Sequence, residues 1–188
     1  MVLVKQRIQE CIDIKKKLLQ DEIILKQIKE ISEEIDRCLK NDGKVLLCGN
    51  GGSASDALHI AAELVGRFQK ERKSFCAIAL NADVATMTSI ANDYGYDYVF
   101  ERMVEGLLKP NDILLGISTS GNSENIYRAI LKANVIKGKT IAFLGKDGGK
   151  INNIANHSIV IPSDSTARIQ EIHIMIAHII CELIEEIY

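Results

Sequence analysis

Five short apolar runs constrain the fold of this chain more than any other feature. "KVLLC", "CAIAL", "DILLGI", "TIAFL" and "SIVIP" recur between residues 44 and 162, separated by stretches of helical pattern. Runs of this length, rich in branched side chains and followed by Gly- or Ser-rich turns, are the signature of strands buried on both faces. Strands that alternate with helices predict one parallel sheet covered on each side, a three-layer α/β/α, flavodoxin-like architecture of five βα units. Ligands of such sheets sit beyond the carboxyl ends of the strands, so the turns after the strands are where function is to be sought.

Ahead of the first run, residues 3–40 alternate apolar and charged positions at helical spacing (Ile8, Ile12, then Ile23, Ile24, Ile28, Ile31, Ile35). Two helices are expected, the second capped near Asp21, packing against the body or a partner subunit. The organisation expected is one domain over 1–188, with N-terminal helices over 1–41 and the α/β body over 42–188.

The formal charge of −2 gives no electrostatic reason to expect nucleic acid or an anionic membrane as partner. An anionic ligand must then be held by local donors. Five cysteines, odd in number and without a CxxC pair, suit reduced thiols in a cytoplasm better than a disulfide frame. The first residues carry no apolar core of signal-peptide length. A cytoplasmic location is expected.

The turn after the first strand reads Gly49-Asn50-Gly51-Gly52-Ser53-Ala54 and opens a helix. Glycines there let the backbone approach a ligand, and the helix start presents free N–H groups to an anion. Formally this matches the dinucleotide fingerprint, which also requires an acid at the end of the second strand for the ribose. That place holds Asn81, with Asp83 further into the turn, so a nicotinamide-dependent oxidoreductase is disfavoured. On the helix itself His59 and Glu63 stand four apart and share a face. Spacing alone leaves an ion pair, half a metal site and an acid–base pair all open.

The turn after the third strand is Ser118-Thr119-Ser120-Gly121-Asn122-Ser123, followed by the helical "ENIYRAILKA". Hydroxyls and amide N–H groups at a helix start make a neutral cradle for phosphate, and Gly121 gives the turn its freedom. Capping by Ser123 or Asn122 is the simpler use of such residues, but one cap suffices and this turn has several candidates. A P-loop is excluded by the absence of G-x-x-x-x-G-K-S/T, and Gly145-Lys-Asp-Gly-Gly-Lys150 reads as a plain turn. The serine-hydrolase elbow G-x-S-x-G is absent as well.

The last helix, "TARIQEIHIMIAHIICELIEEIY", buries an isoleucine-rich surface on which Gln170, His173 and His178 sit. Gln170 and His178 are eight apart, about 80° around the helix, so one ligand is able to meet both. His173 points away from His178 and is expected to be a core residue.

Taken together, "CGNGGSASDALHIAAEL", "IANDYG", "GISTSGNS", "GKDGG" and "ARIQEIHIMIAHII" closely resemble the sedoheptulose 7-phosphate (phosphoheptose) isomerases of the sugar-isomerase, or SIS, domain family. The resemblance spans nearly the whole chain. It implies a homotetramer with active sites at subunit interfaces, interconverting sedoheptulose 7-phosphate and D-glycero-D-manno-heptose 7-phosphate through an enediol(ate). That reaction is the first step toward activated heptose for lipopolysaccharide or capsule. By resemblance, Ser118, Thr119, Ser120 and Ser123 hold the phosphate. Asn50, Gly51, Gly52, Ser53, Glu63, Asn92, Asp93 and Gln170 contact the substrate. Glu63 and His178 form the catalytic pair, and one zinc per subunit is bound by His59, Glu63, Gln170 and His178.

Two other readings share the fold. One is a non-catalytic protein: some SIS-domain relatives bind the bacterial replication initiator and others act as phosphosugar-responsive regulatory modules. The initiator-binding ones resemble the chain in the Gly-rich turn and "ARIQE" but lack residues matching Glu63 and His178. An isomerase of another phosphosugar is the second, because a phosphate cradle does not count carbons.

Overall fold

The computed structural model describes residues 1–187. Two helices come first, α1 (Val2–Leu19) and α2 (Glu22–Lys40). Asp21 starts the second as the sequence predicts, its carboxylate accepting from the N–H groups of Ile23 and Ile24 at 3.0 and 3.1 Å.

The five apolar runs become β1 (Val45–Gly49), β2 (Ala77–Ala79), β3 (Ile113–Ser118), β4 (Lys139–Gly145) and β5 (His157–Ile161). They form one all-parallel sheet in the order β2-β1-β3-β4-β5. The helices between and after them are α3 (Gly52–Val65), α4 (Val84–Tyr94), α5 (Val99–Leu107), α6 (Glu124–Ile136), the short α7 (Gly149–Asn152) and α8 (Thr166–Glu186).

Side chains alternate across a strand, so one sheet divides the interior in two. Val45, Leu47, Leu115, Ile117 and Phe143 point to the face covered by α1, α2, α3 and α8. Leu46, Cys48, Leu114, Ala142 and Leu144 point to the face covered by α4, α5, α6 and α7. On α8, Ile169, Ile172, Ile176, Ile180 and Ile184 are all buried against the first face, as the periodicity requires. The outermost helix is different: α1 buries Ile14 and Leu18 but leaves Val2, Leu3, Val4, Ile8 and Ile12 exposed.

The strand order places the reversal of connection between β1 and β3, where Gly49 pairs with Ile117. Chains leaving the two strands depart to opposite faces and open a crevice at their carboxyl ends. Both turns singled out by the sequence, after β1 and after β3, meet there. No described helix is long and apolar enough to cross a membrane.

Candidate active site

At the β1 turn, Gly51 has a φ of +56°, a conformation costly for any other residue. Gly52 is required for a different reason: a Cβ there would lie 2.5 Å from Nε2 of Gln170, whose amide packs directly on this backbone. Asn50 crosses the crevice. Its amide and that of Asn125, at the start of α6, donate to each other reciprocally at 2.9 Å. Tyr96 adds a third link, its hydroxyl donating to Asn50 Oδ1 at 3.0 Å.

The place a dinucleotide's ribose would need an acid is occupied structurally. Asn81 accepts from Gly49 N–H and donates to Gly49 O, at 3.1 and 2.9 Å. Asp83 caps α4 by accepting from Thr86 N–H at 3.0 Å. Both side chains are engaged locally, Asn81 with the β1 backbone and Asp83 with the start of α4, so neither stands as a dedicated ribose acid.

In the β3 turn, Ser118 is buried and its hydroxyl meets that of Ser123 at 2.9 Å. Ser123 stands at the N-cap position of α6 but makes no side-chain cap bond, so its hydroxyl is not spent on the helix. Ser120 Oγ accepts from Asn122 N–H at 3.1 Å, which curls the turn around its own hydroxyls. Gly121, at φ +66°, lies so close to Gly148 that a Cβ would approach its carbonyl oxygen to 2.1 Å. The loose lysine-containing motif of the sequence thus has a role: it is the wall against which the serine turn is folded. Asn122 Oδ1 accepts from Lys150 N–H at 3.1 Å. The Lys150 ammonium is paired with Glu124, which holds that half-buried carboxyl below its ordinary range. The cradle therefore offers hydroxyls and the start of α6, with its nearby positive charge already matched.

The third constellation lies on the seam between α3 and α8. His59 Nε2 and Glu63 Oε1 are 2.9 Å apart. The His178 ring meets that of His59 edge-on, with centroids 5.0 Å apart, and one ligand atom from each of His59, Glu63 and His178 falls within 4.8 Å of the others. Nε2 of His178 is buried without a hydrogen-bond partner. Two imidazoles and a carboxylate, one of them with an orphaned buried nitrogen, are a fitting donor set for zinc.

Gln170 is seated elsewhere, on Gly52. It stands about 80° around the helix from His178, and eight residues of helix separate the two by about 12 Å along the axis. Within one chain that distance suits a ligand as long as a sugar phosphate rather than a single ion. His173 is core, as expected: it is buried, its Nε2 lies 2.9 Å from Leu144 O, and burial pushes its pKa down to about 4. Asn92 and Asp93 end α4 exposed, with Asn92 donating to Asp93 at 2.8 Å.

Several residues at the site escaped sequence reasoning. Asn125 and Tyr96 join turns far apart in the chain, and only the sheet order brings them together. Phe68 stacks on His178 with centroids 5.2 Å apart, from a loop without periodicity. Asp56, one turn before His59, has a carboxyl raised by burial against the opposing pull of His59, and its Oδ2 is buried without a partner. An open cavity of about 470 Å³ flanks the β1 turn, lined by Gly51, Leu58, Asn81, Met87 and Tyr96 among others.

A parallel sheet in this order, with a hydroxyl-lined turn at the switch point, defines a class, and the SIS domain family model matches residues 9–145. A phosphoheptose isomerase of Nitratiruptor sp. is 60% identical over 148 residues, 79% of each chain. That of Aquifex aeolicus is 50% identical over 183 residues, covering 97% of this chain and 95% of the other. The solved phosphoheptose isomerase of Neisseria gonorrhoeae superposes with a TM-score of 0.91 at 40% identity, covering 97% of each chain. The chain belongs to the phosphoheptose isomerase family of SIS-domain proteins.

Proposed function

We propose that this protein is an aldose–ketose isomerase that converts sedoheptulose 7-phosphate to D-glycero-D-manno-heptose 7-phosphate, in the route to activated heptose for bacterial surface polysaccharide. The observation that carries the reading is the convergence of His59, Glu63 and His178 on one seam, in a chain half identical to a phosphoheptose isomerase over nearly its full length.

The chemistry moves one proton between C1 and C2 and another between their oxygens. Ser118, Thr119, Ser120, Ser123 and the start of α6 hold the phosphate, and binding energy from that remote group orients the reacting end. Asn50, Gly51, Gly52, Ser53, Asn92, Asp93 and Gln170 bind along the sugar. Glu63, as carboxylate, takes the proton from C1 and returns it to C2. His178 receives the proton leaving O1 and delivers it to O2, a task suited to an imidazole. Zinc, held by His59, Glu63 and His178, would supply Lewis-acid stabilisation of the negative oxygen. Nothing in the serine turn has a base to activate it, and isomerisation needs no covalent nucleophile.

A homotetramer with sites at subunit interfaces belongs to the same proposal. The apolar surface left open on α1 supports association, and an interface gives Gln170 a way to reach an ion from a second copy. Five cysteines standing as free thiols support work in the reducing cytoplasm. The non-catalytic alternative is disfavoured, because a protein that only binds has no use for the Glu63–His178 pairing.

The test is incubation with sedoheptulose 7-phosphate, with and without zinc and chelator, followed by NMR. Appearance of the aldoheptose phosphate, with solvent deuterium at C2, is expected. Absence of conversion under every condition would transfer the chain to the binding-protein class. Retention of near-normal deuterium exchange by Glu63→Gln would remove Glu63 from its role as carbon base.

A further inference from the structure

Between α3 and β2 the chain runs through residues 66–76 without regular structure. Such a loop ordinarily turns its backbone donors to water. Here three consecutive N–H groups, those of Phe68, Gln69 and Lys70, all donate to the carboxylate of Glu185 on α8, at 2.9, 2.8 and 2.8 Å. The same carboxylate accepts from Arg72 Nε at 2.9 Å, and the two side chains are 2% and 5% exposed. Arg72 also donates to the end of α3, giving one hydrogen bond to Glu63 O and one to Leu64 O, at 2.9 and 3.0 Å, and a third to Lys73 O at 3.2 Å.

This buried ion pair thus grips two backbones at once. One is that of Glu63. The other carries Phe68, whose ring stacks on the His178 imidazole at 5.2 Å with planes 28° apart. His59 closes the imidazole from another side, edge-on at 5.0 Å. A side chain boxed by two rings loses its rotamer freedom, and its Nε2 direction is set by packing rather than by a hydrogen bond, since that nitrogen has no partner. A fully buried carboxylate is costly unless every oxygen is satisfied. The molecule meets that cost on a loop that buries Phe75 in the core and lays Phe68 against His178.

We infer that Phe68 is a positioning residue for His178, and that Glu185 with Arg72 is the latch that holds it there. The inference deepens the isomerase reading and rests on it, because the imidazole being aimed is the one assigned to the oxygen-bound proton. The latch also ties the Glu63 backbone to the same ion pair, so that base and imidazole keep their spacing.

The experiment compares the enzyme as isolated with Phe68→Leu, Phe68→Tyr and Glu185→Gln. Phe68→Leu is expected to lower kcat roughly 10- to 100-fold, the scale of a misplaced reacting group, with KM for sedoheptulose 7-phosphate changed less than about threefold. Phe68→Tyr, which keeps the ring, is expected to retain most of kcat. Glu185→Gln is expected to raise amide hydrogen exchange at Phe68, Gln69 and Lys70 at least about tenfold, with kcat falling alongside. Independently of turnover, the His178 ring protons are expected to carry the ring-current shift of Phe68 and to lose it in Phe68→Leu. An unchanged kcat in Phe68→Leu, an equal loss in Phe68→Tyr, or a raised KM with intact kcat would overturn the inference and leave the isomerase reading standing. Failure of the unsubstituted protein to convert the sugar would defeat that reading instead. The proton shifts would then still report whether Phe68 holds His178.

Discussion

Asn50 and Asn125 bind each other through both ends of their amides, each donating to the other at 2.9 Å, across the gap between the turn after β1 and the start of α6. With Tyr96 also donating to Asn50 Oδ1, the amide of Asn50 is locked in one orientation, with one of its two N–H bonds unspent. The pair is a strap across the switch point, and it makes the two ligand-facing turns a single unit.

Replacing Asn125 with Leu removes one half of the strap and leaves the half-buried Asn50 amide with Tyr96 as its remaining partner and its N–H unmatched. An unsatisfied amide of this kind costs about 1–3 kcal/mol. Urea denaturation should register that loss. The KM for substrate should rise as well, because Asn50 is free to turn its carbonyl toward the sugar. A stability loss without a change in KM would separate the strap from binding.

Ser123 offers a sharper contrast. If it capped α6, Ser123→Ala would cost about 1 kcal/mol of stability. It makes no cap bond, and its hydroxyl faces Ser118. The expected outcome is therefore a melting temperature close to that of the unsubstituted protein, with phosphate-end binding weakened about tenfold, the worth of one hydrogen bond to a charged group. Calorimetric titration with the substrate, set beside a thermal melt, reads both quantities.

How much of this was legible in the residues depends on how far each signal reaches along the chain. The five strands were, because a buried parallel strand writes itself as a local apolar run. Asp21 as a cap and His173 as core followed from neighbours within one or two helical turns. The partnership of His59 and Glu63 was visible as spacing, though not its use. What stayed hidden was what one part of the chain does for another. The strap from Asn50 to Asn125 and the latch from Glu185 to Phe68 each join positions many tens of residues apart. The azimuth of Gln170 and His178 was readable too, but their separation along α8 places the glutamine at Gly52 and the histidine at His59 and Glu63.

The donor set of His59, Glu63 and His178 predicts a ligand-linked stability. A metal that binds only the folded chain raises its melting temperature in proportion to the logarithm of its concentration over its Kd. Zinc added to chelator-treated protein should raise the melting temperature, and His178→Ala should abolish most of that rise. A zinc response retained in His178→Ala would show that the ion binds elsewhere.

Two buried groups predict where stability is lost in acid. Burial would raise the carboxyl of Glu185, but the N–H groups of Lys70, Gln69 and Phe68 and the Arg72 guanidinium outweigh it and hold the pKa at about 2, against an ordinary value of 4.5. The unfolded chain therefore binds this proton first, so the stabilisation is whole above about pH 4.5 and fades as the pH falls toward 2. His173 acts in the same sense but higher, because burial pushes it from 6.5 to about 4, and unfolding lets it take a proton throughout that interval. Stability should then fall in two overlapping steps on acidification, the first from His173 and the second from Glu185. Unfolding free energies measured by urea between pH 7 and 3 should lose the upper step in His173→Gln, while Glu185→Gln should flatten the lower one. A slope between pH 6.5 and 4.5 that survives in His173→Gln would mean that this histidine is not the neutral group its burial makes it.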